Sequence, residues 1–549
     1  MTEERKWSGG LKVLAAAGLL VAGLAACDGE LLDVEDPDNV EPSEELAPTD
    51  VSPRVAGMIN ELRTAYDLYA LYSGLLTDEF ILAGTFPTRR EVDQRNPIAQ
   101  NVSINVDVWE PLSVTRAVAD QNIDDFEAAL GTDEFSGQTG NLETGIAWGN
   151  LVAGYSRLFM AELFCHSILG GGSGDLPRFV EDENVEDAPL SSVDRARDAL
   201  DFFEEAEARG EEFESDEVRL AALVGQARTH MLLHSLTDED HLAEAEAAAS
   251  AVVDENPRFV SAIEYSARSP GEENGIFQLT WGINASLRWT VGDGTDGSRG
   301  NERFAYYGDI PVNEDDEPDL SGATGWVGQG LIVPPFIAEA DAPAGPGLGA
   351  FNNVSPVSAQ TLYAGRSGGL RDVSIPLATA WEAQMILAEI ELRNGSPGDA
   401  EDRANALLGD VALNPMTAVN SALSSPAASG DFTPNQLGAF EDISLDHGTL
   451  AGNLAELARA YEAGLWMTGH RQHFLRRMAE EFDDRFFPRE AAPDFADNTD
   501  ASLDDGSLWP DHGFGEEGAD AGDAITLPLP VAEVDNNNNV GSACPAGYP

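Results

Sequence analysis

Residues 217–254 read EVRLAALVGQARTHMLLHSLTDEDHLAEAEAAASAVVD. Apolar side chains recur every three or four residues, the period of a helix that buries one stripe. The polar turn Thr237-Asp238-Glu239-Asp240 interrupts the pattern. The spacing therefore predicts two helices, 217–236 and 241–254, joined by a tight turn. The run AEAEAAASAVV carries side chains small enough to let two helices approach closely.

The same periodicity extends outward from this pair. It predicts helices over 55–76 and 147–169, and a third over 192–209 with Ser192 as N-cap and Gly210 as the stop. A second helical block opens at Ile375, with an amphipathic helix over 380–393 ended by Asn394-Gly395, and the pattern resumes over 399–408 and 450–481. Between the blocks, residues 271–372 are rich in Gly, Asp, Asn and aromatics. Short β-like runs such as Ile276–Trp281 alternate there with turn clusters such as Gly292–Gly300. The expected fold is mainly α: a tetratricopeptide-like α-α superhelix with an irregular, hairpin-rich part, although no consensus repeat of about 34 residues recurs. The expected divisions are 27–50, 51–270, 271–372, 373–490 and an acidic tail 491–549, after a leader 1–26.

The leader has a charged start (Arg5, Lys6, Lys12) and a short apolar stretch, LKVLAAAGLLVAGLAA, as secretory signals do. It ends in Leu24-Ala25-Ala26-Cys27, the pattern of a bacterial lipobox, which makes Cys27 the expected lipidated residue. The following acidic stretch, with Pro37, Pro42 and Pro48, reads as an extended stalk. Two cysteines remain, Cys165 and Cys544. Outside the cytoplasm such thiols tend to pair. The alternative is a buried Cys165 in an apolar helix and a free Cys544.

Charge narrows the function. The 549 residues hold 97 Asp plus Glu against 31 Lys plus Arg, a net charge of −66, with 42% hydrophobic residues. There is ample material for a core, and such a negative surface repels phosphate backbones, so nucleic-acid binding is excluded. The only lysines are Lys6 and Lys12. Acidic, lysine-free surfaces suit salty water, and a genome favouring Arg codons explains them equally well.

Four stretches together resemble the RagB/SusD family of outer-membrane nutrient-binding lipoproteins. They are Cys27 followed closely by LLDVEDPDNVEPSEEL, then RDVSIPLATAWEAQMILAEIELRNG with its regularly placed Glu, then YEAGLWMTGHRQHFLRRM, and finally ITLPLPVAEVDNNNN. The third matches the family's signature at Glu462, Gly469, His470, Arg471, Leu475, Arg476 and Arg477. The fourth matches its terminal segment at Pro528, Pro530, Glu533 and Asn536. One departure is Phe474, where the family carries an acid. The resemblance implies an anchored surface protein that captures glycans or other oligomers and hands them to a SusC-like TonB-dependent transporter in the outer membrane. A secreted polymer-degrading enzyme and a helical-repeat scaffold remain the alternatives.

No catalytic motif argues for the enzyme. With 97 carboxylates, acidic pairs at catalytic spacing arise by chance, and no Gly-x-Ser-x-Gly elbow, HExxH or P-loop occurs. His230 and His234 share a helix face at zinc-like spacing, but their neighbours are apolar and no third ligand is suggested, so no metal is expected there. Calcium at the loops 293–296 and 314–317 is a weak expectation, since neither follows EF-hand spacing. Sugar rings stack on aromatic faces, and of the aromatics in the 271–372 region Trp289, Tyr306, Tyr307 and Trp326 stand near Gly, Asp or Arg and outside apolar runs. These four are the expected ligand-binding residues, and the negative surface favours a neutral or cationic ligand. Trp148, Trp381 and Trp466 lie in helical patterns and are expected in the core.

Overall fold

The computed structural model describes residues 46–77, 80–82, 87–93, 95–168, 189–266, 268, 272, 274–276, 287–289, 374–415, 442–465, 468–482, 491–492, 513–514 and 524–530. Eleven α-helices dominate the described residues, and the short strands pair two by two, among them β2 (His166–Ile168) with β3 (Pro189–Ser191). The first helices are α1 (Val51–Leu76), α2 (Pro87–Asp93), α3 (Glu110–Ala129) and α4 (Thr139–Leu163). Next come α5 (Ser192–Glu212), α6 (Asp216–Leu236) and α7 (Leu242–Glu255). The last four are α8 (Ala380–Arg393), α9 (Pro397–Gly409), α10 (Leu450–Leu465) and α11 (His470–Glu481).

Side-chain pairs fix the directions of the helices. Arg54 meets Asp125, and Tyr72 meets Asp107 in the helical segment that leads into α3, so α1 and α3 run oppositely. Arg157 of α4 reaches both Asp120 of α3 and Asp198 of α5, and Gly225 of α6 faces Phe203 of α5. Each helix in the order α1, α3, α4, α5, α6 thus reverses the one before it, the layout of a tetratricopeptide-like array. Glycine sets the spacing. Phe203 lies between Gly154 and Gly225, and a Cβ on either would come within 2.7 Å of its ring.

The structure moves both ends of the 192–209 expectation. The N-cap is Ser191, whose hydroxyl accepts the Asp194 N–H in a reciprocal capping box. Ser192 instead donates its hydroxyl to the carbonyls of Phe164 and Cys165. Gly210 does not end the helix; it is buried inside it, where a Cβ would lie 2.8 Å from the backbone nitrogen of Arg219. The continuous pattern over 450–481 is two helices, α10 and α11, separated at Gly469, whose φ of +83° is the left-handed conformation that glycine adopts freely. The second block opens with a strand, β6 (Ile375–Thr379), and not with a helix. Ile276 sits in a helical turn, and the rest of the 276–281 run lies outside the described residues. Trp381 is buried, Trp148 is half-buried and Trp466 lies outside the described residues.

The helices from both sides of residues 271–372 share one core. The ladder between β4 (Val260–Ile263) and β6 pairs Val260 with Thr379 and brings α8 beside α6 and α7. Thr379 caps α8 by accepting the Glu382 N–H. Helix α11 then packs on α1, α4 and α6. The chain divides into two units between Asp50 and Val51, and all of these helices belong to the second. A segment near the C-terminus completes the core. Leu527 donates its N–H to Leu163, Ala524 exchanges two hydrogen bonds with Arg95, and Ile525, Leu527 and Leu529 are fully buried.

Candidate functional site

The expected ligand-binding region meets the described structure at two places. The first is a ribbon in which β5 (Leu287–Trp289) runs antiparallel to β1 (Phe80–Leu82), directly after α1, with Trp289 opposite Phe80. This gives the backbone of Trp289 a position. Tyr306, Tyr307 and Trp326 lie outside the described residues, as do Cys27, Cys544 and the loops 293–296 and 314–317.

The second place is the entrance to that region. The Gly275 N–H donates to Asp67 Oδ2 of α1 at 2.7 Å, and a Cβ at Gly275 would collide with that carboxylate. Asn274 and Ile276 on either side are fully buried. Burial pushes the Asp67 carboxyl up to about 7, against the opposing pull of two backbone N–H groups and Arg63.

The densest chemistry lies deeper, where five helices converge. Arg228 of α6 donates two hydrogen bonds of 2.7 Å to Glu162 of α4 and one to the Tyr69 hydroxyl of α1. That hydroxyl donates to Glu162 at 2.5 Å. From α11, His473 lies 2.7 Å from Glu162, and His470 lies 3.1 Å from Glu382 of α8. Arg477 forks onto both oxygens of Glu389, which Arg393 also contacts. Arg476 donates to the Ala161 carbonyl and the Ser192 hydroxyl, satisfying a carbonyl that the end of α4 leaves open.

This network has the residue types of an active site without the access. Glu162, Glu389, Arg228 and Arg477 are completely buried, and Glu382, His470 and His473 are at most 3% exposed. A void of about 10 Å³ beside His470 and Tyr461 barely admits one water. Burial alone would raise the pKa of Glu162, but Arg228 holds it well below the usual carboxylate range. Arg477 and Arg393 likewise override burial at Glu389 and bring it down to about 2. Burial lowers His473 to about 4, so its ring is neutral at neutral pH. Perturbed groups often mark catalysis; here they mark a sealed ionic frame. Phe474 packs against Tyr461 with ring centroids 5.0 Å apart, and the Arg477 guanidinium lies 5.4 Å from the Phe474 ring centre.

Two sequence-level features find other partners. His230 turns to His241, with their Nδ1 atoms 3.3 Å apart, and His234 lies 3.6 Å from Asp240. Among the described residues no group of three His, Cys, Asp or Glu is arranged to hold a metal ion. Cys165 is buried and disulfide-bonded, and its partner lies outside the described residues. Sequence reasoning missed Glu162, Arg228 and Tyr69. The available signal was a lone charge inside an apolar run, as in LFMAELF and ALVGQARTHMLL.

Comparison with solved structures gives this architecture its relatives. A SusD/RagB family protein of Bacteroides thetaiotaomicron superposes with a TM-score of 0.54 at 13% identity, over 90% of this chain and 95% of that one. A SusD superfamily protein of the same species gives 0.51 at 14%, covering 90% and 99%. Another, from Bacteroides vulgatus, gives 0.52 at 12%, covering 91% and 98%. The chain has the SusD-superfamily fold. No protein-family model and no curated protein matches its sequence. Within this SusD-like fold, the stretch YEAGLWMTGHRQHFLRRM supplies Arg476 and Arg477 of the frame, and ITLPLP supplies the buried C-terminal segment.

Proposed function

We propose that this chain is a lipid-anchored, SusD-like binding protein of the outer membrane. It captures glycans or similar oligomers without cleaving them and delivers them to a TonB-dependent transporter. The observation that carries the reading is the SusD-superfamily fold over about nine-tenths of the chain, joined to the family-like stretches in the buried ionic frame and the C-terminal segment. The lipobox ending at Cys27 supports the anchor. The ligand meets Trp289, Tyr306, Tyr307 and Trp326, because stacked rings supply affinity that hydroxyl hydrogen bonds, exchanged against water, do not.

The test is a glycan and oligopeptide array with purified protein, followed by single alanine substitutions at the four aromatics. A bound oligomer, unhydrolysed after long incubation, with each substitution weakening affinity about tenfold (about 1.4 kcal/mol), is the expected result. Cleavage of the oligomer would move the protein to the enzymes. Replacing Cys27 with Ala should release the protein from membranes, and continued membrane association would remove the anchor from the proposal.

A further inference from the structure

The turn between α6 and α7 brings two imidazoles together from positions 11 residues apart. His230, near the end of α6, is buried, and His241, the residue just before α7, is half-buried. Their Nδ1 atoms are 3.3 Å apart while the ring centres are 5.5 Å apart, so the rings meet through these two nitrogens. The His241 side chain makes no capping hydrogen bond to α7. The backbone that carries both rings is well held. Thr237 donates its hydroxyl to the Leu233 carbonyl and accepts the Glu239 N–H, and the Leu242 N–H donates to Asp240. Met231, Leu232 and Leu233, next to His230, are fully buried.

Two neutral imidazoles can share a hydrogen bond, one Nδ1–H donating to the other Nδ1, but 3.3 Å is long for such a bond. It is the separation that a shared ion imposes. Two nitrogens held about 2.0–2.1 Å from one tetrahedral Zn2+ stand about 3.3–3.4 Å apart. The outer side of His241 carries the partner that metal-bound imidazoles use. Its Nε2 lies 3.3 Å from Glu239 Oε2, which Arg197 also contacts at 3.2 Å. A carboxylate at that place keeps the ring proton on Nε2 and turns the Nδ1 lone pair inward. Glu244, in the first turn of α7, is near enough to act electrostatically on the His230 ring. Glu239, Asp240 and Glu244 are all exposed around the pair, and carboxylates so placed draw a dication toward it.

We infer that His230 and His241 form a binding site for Zn2+, with their Nδ1 atoms as its two protein ligands. Nitrogen donors select against Ca2+ and Mg2+, which take oxygen. Among the described residues no third His, Cys, Asp or Glu completes the set, so water fills the remaining positions and the site is open. This is not the pairing that helical spacing offers. His234 shares a helix face with His230, but its Nδ1 lies 3.6 Å from Asp240 and takes no part. Bound zinc joins the end of α6 to the start of α7 across the turn. The two ligands meet only in the folded chain, so binding stabilises that chain. The inference stands independently of the proposed function.

The experiment is a zinc titration of the full chain, free of affinity tags and stripped with a chelator, read by calorimetry and by thermal midpoint. Salt at about 0.3 M screens the diffuse attraction of the acidic surface for cations. The wild type and His234→Ala should bind Zn2+ and gain in thermal midpoint, whereas Ca2+ and Mg2+ at the same concentration should give no gain. His241→Ala and His230→Gln should each weaken zinc binding by about tenfold or more and lose the gain in midpoint. His241 stands at the rim, so His241→Ala decides the matter if His230→Gln fails to fold. Co2+ gives a second reading, because a tetrahedral ion with nitrogen ligands absorbs in the visible, and this band should vanish in His241→Ala. Zinc bound equally by the wild type and His241→Ala would place it elsewhere on the acidic surface and overturn the site. A wild type that binds no zinc, with His241→Ala less stable in the chelator, would make the pair a hydrogen bond only and overturn it as well.

Discussion

Glu162 and Arg228 face each other through two parallel hydrogen bonds of 2.7 Å, and neither side chain touches solvent. The pair locks α4 to α6, and Tyr69 and His473 bring α1 and α11 to the same point.

Such a pair is costly to break from one side, because the remaining charge stays buried without its counter-ion. Glu162→Gln is expected to lower unfolding stability by about 3–5 kcal/mol. Urea titration of both proteins at pH 7 measures this, and a loss below about 1 kcal/mol would mean that the pair is replaceable.

Acid should act on the same frame. Glu389 has its folded pKa depressed to about 2 from 4.5. Its contribution, on the order of 3 kcal/mol, is therefore present above pH 4.5 and lost as pH falls toward 2. Glu389→Gln should be less stable than the wild type at pH 7, with the difference shrinking as pH falls through this window. Equal slopes of stability against pH in both proteins would contradict this.

Asp67 has the opposite sign. Its folded pKa is raised from 3.8 to about 7, so ionising it in place costs a few kcal/mol, and stability falls as pH rises between those values. Asp67→Asn keeps an acceptor for the Gly275 N–H without the charge. It should match the wild type near pH 4 and exceed it in thermal midpoint at pH 8. A variant less stable at pH 8 would show that the carboxylate charge is itself favourable there.

Phe203 between Gly154 and Gly225 leaves no room for a methyl group. Gly154→Ala and Gly225→Ala should each destabilise by about 1–3 kcal/mol through overpacking. Adding Phe203→Leu should recover part of that loss, and additivity of the two changes would argue against direct contact.

Cys165 follows Leu163 and Phe164, which are bridged to Leu527 of the C-terminal segment. This brings the chain close to Cys165 only seventeen residues before Cys544. The expected disulfide is Cys165–Cys544, worth about 4–5 kcal/mol on the chain-entropy model for a long loop. Peptide mapping without reduction should recover that cross-link, and a free Cys544 thiol in the denatured, unreduced protein would refute it.

The helical frame was legible because local periodicity reports local burial. The pairs α6–α7 and α8–α9 fall within a few residues of the spans expected from spacing alone. The ends were harder to read. Gly210 reads as a stop by residue type, but its role is to let α6 pass close by, a contact that no local pattern encodes. The regular spacing of Glu in α8 does not say which of them are buried; Glu382 and Glu389 point inward, and each has a partner 88 residues away on α11. Of the expected ligand residues, only the backbone position of Trp289 falls within the described structure.

The buried segment at 524–530 bears on the order of events during synthesis. The hairpins α3 to α7 use neighbours already made and can form early. Arg95, Leu163 and Gln472 must wait for Ala524, Ile525 and Leu527, more than 400 residues later for Arg95. During elongation the C-terminal end of α4 and the loop after α2 stay unmet, so the growing chain remains loosely closed until residues 524–527 exist. Ile525, Leu527 and Leu529 act as a latch that is fastened only after every helix it touches has been made.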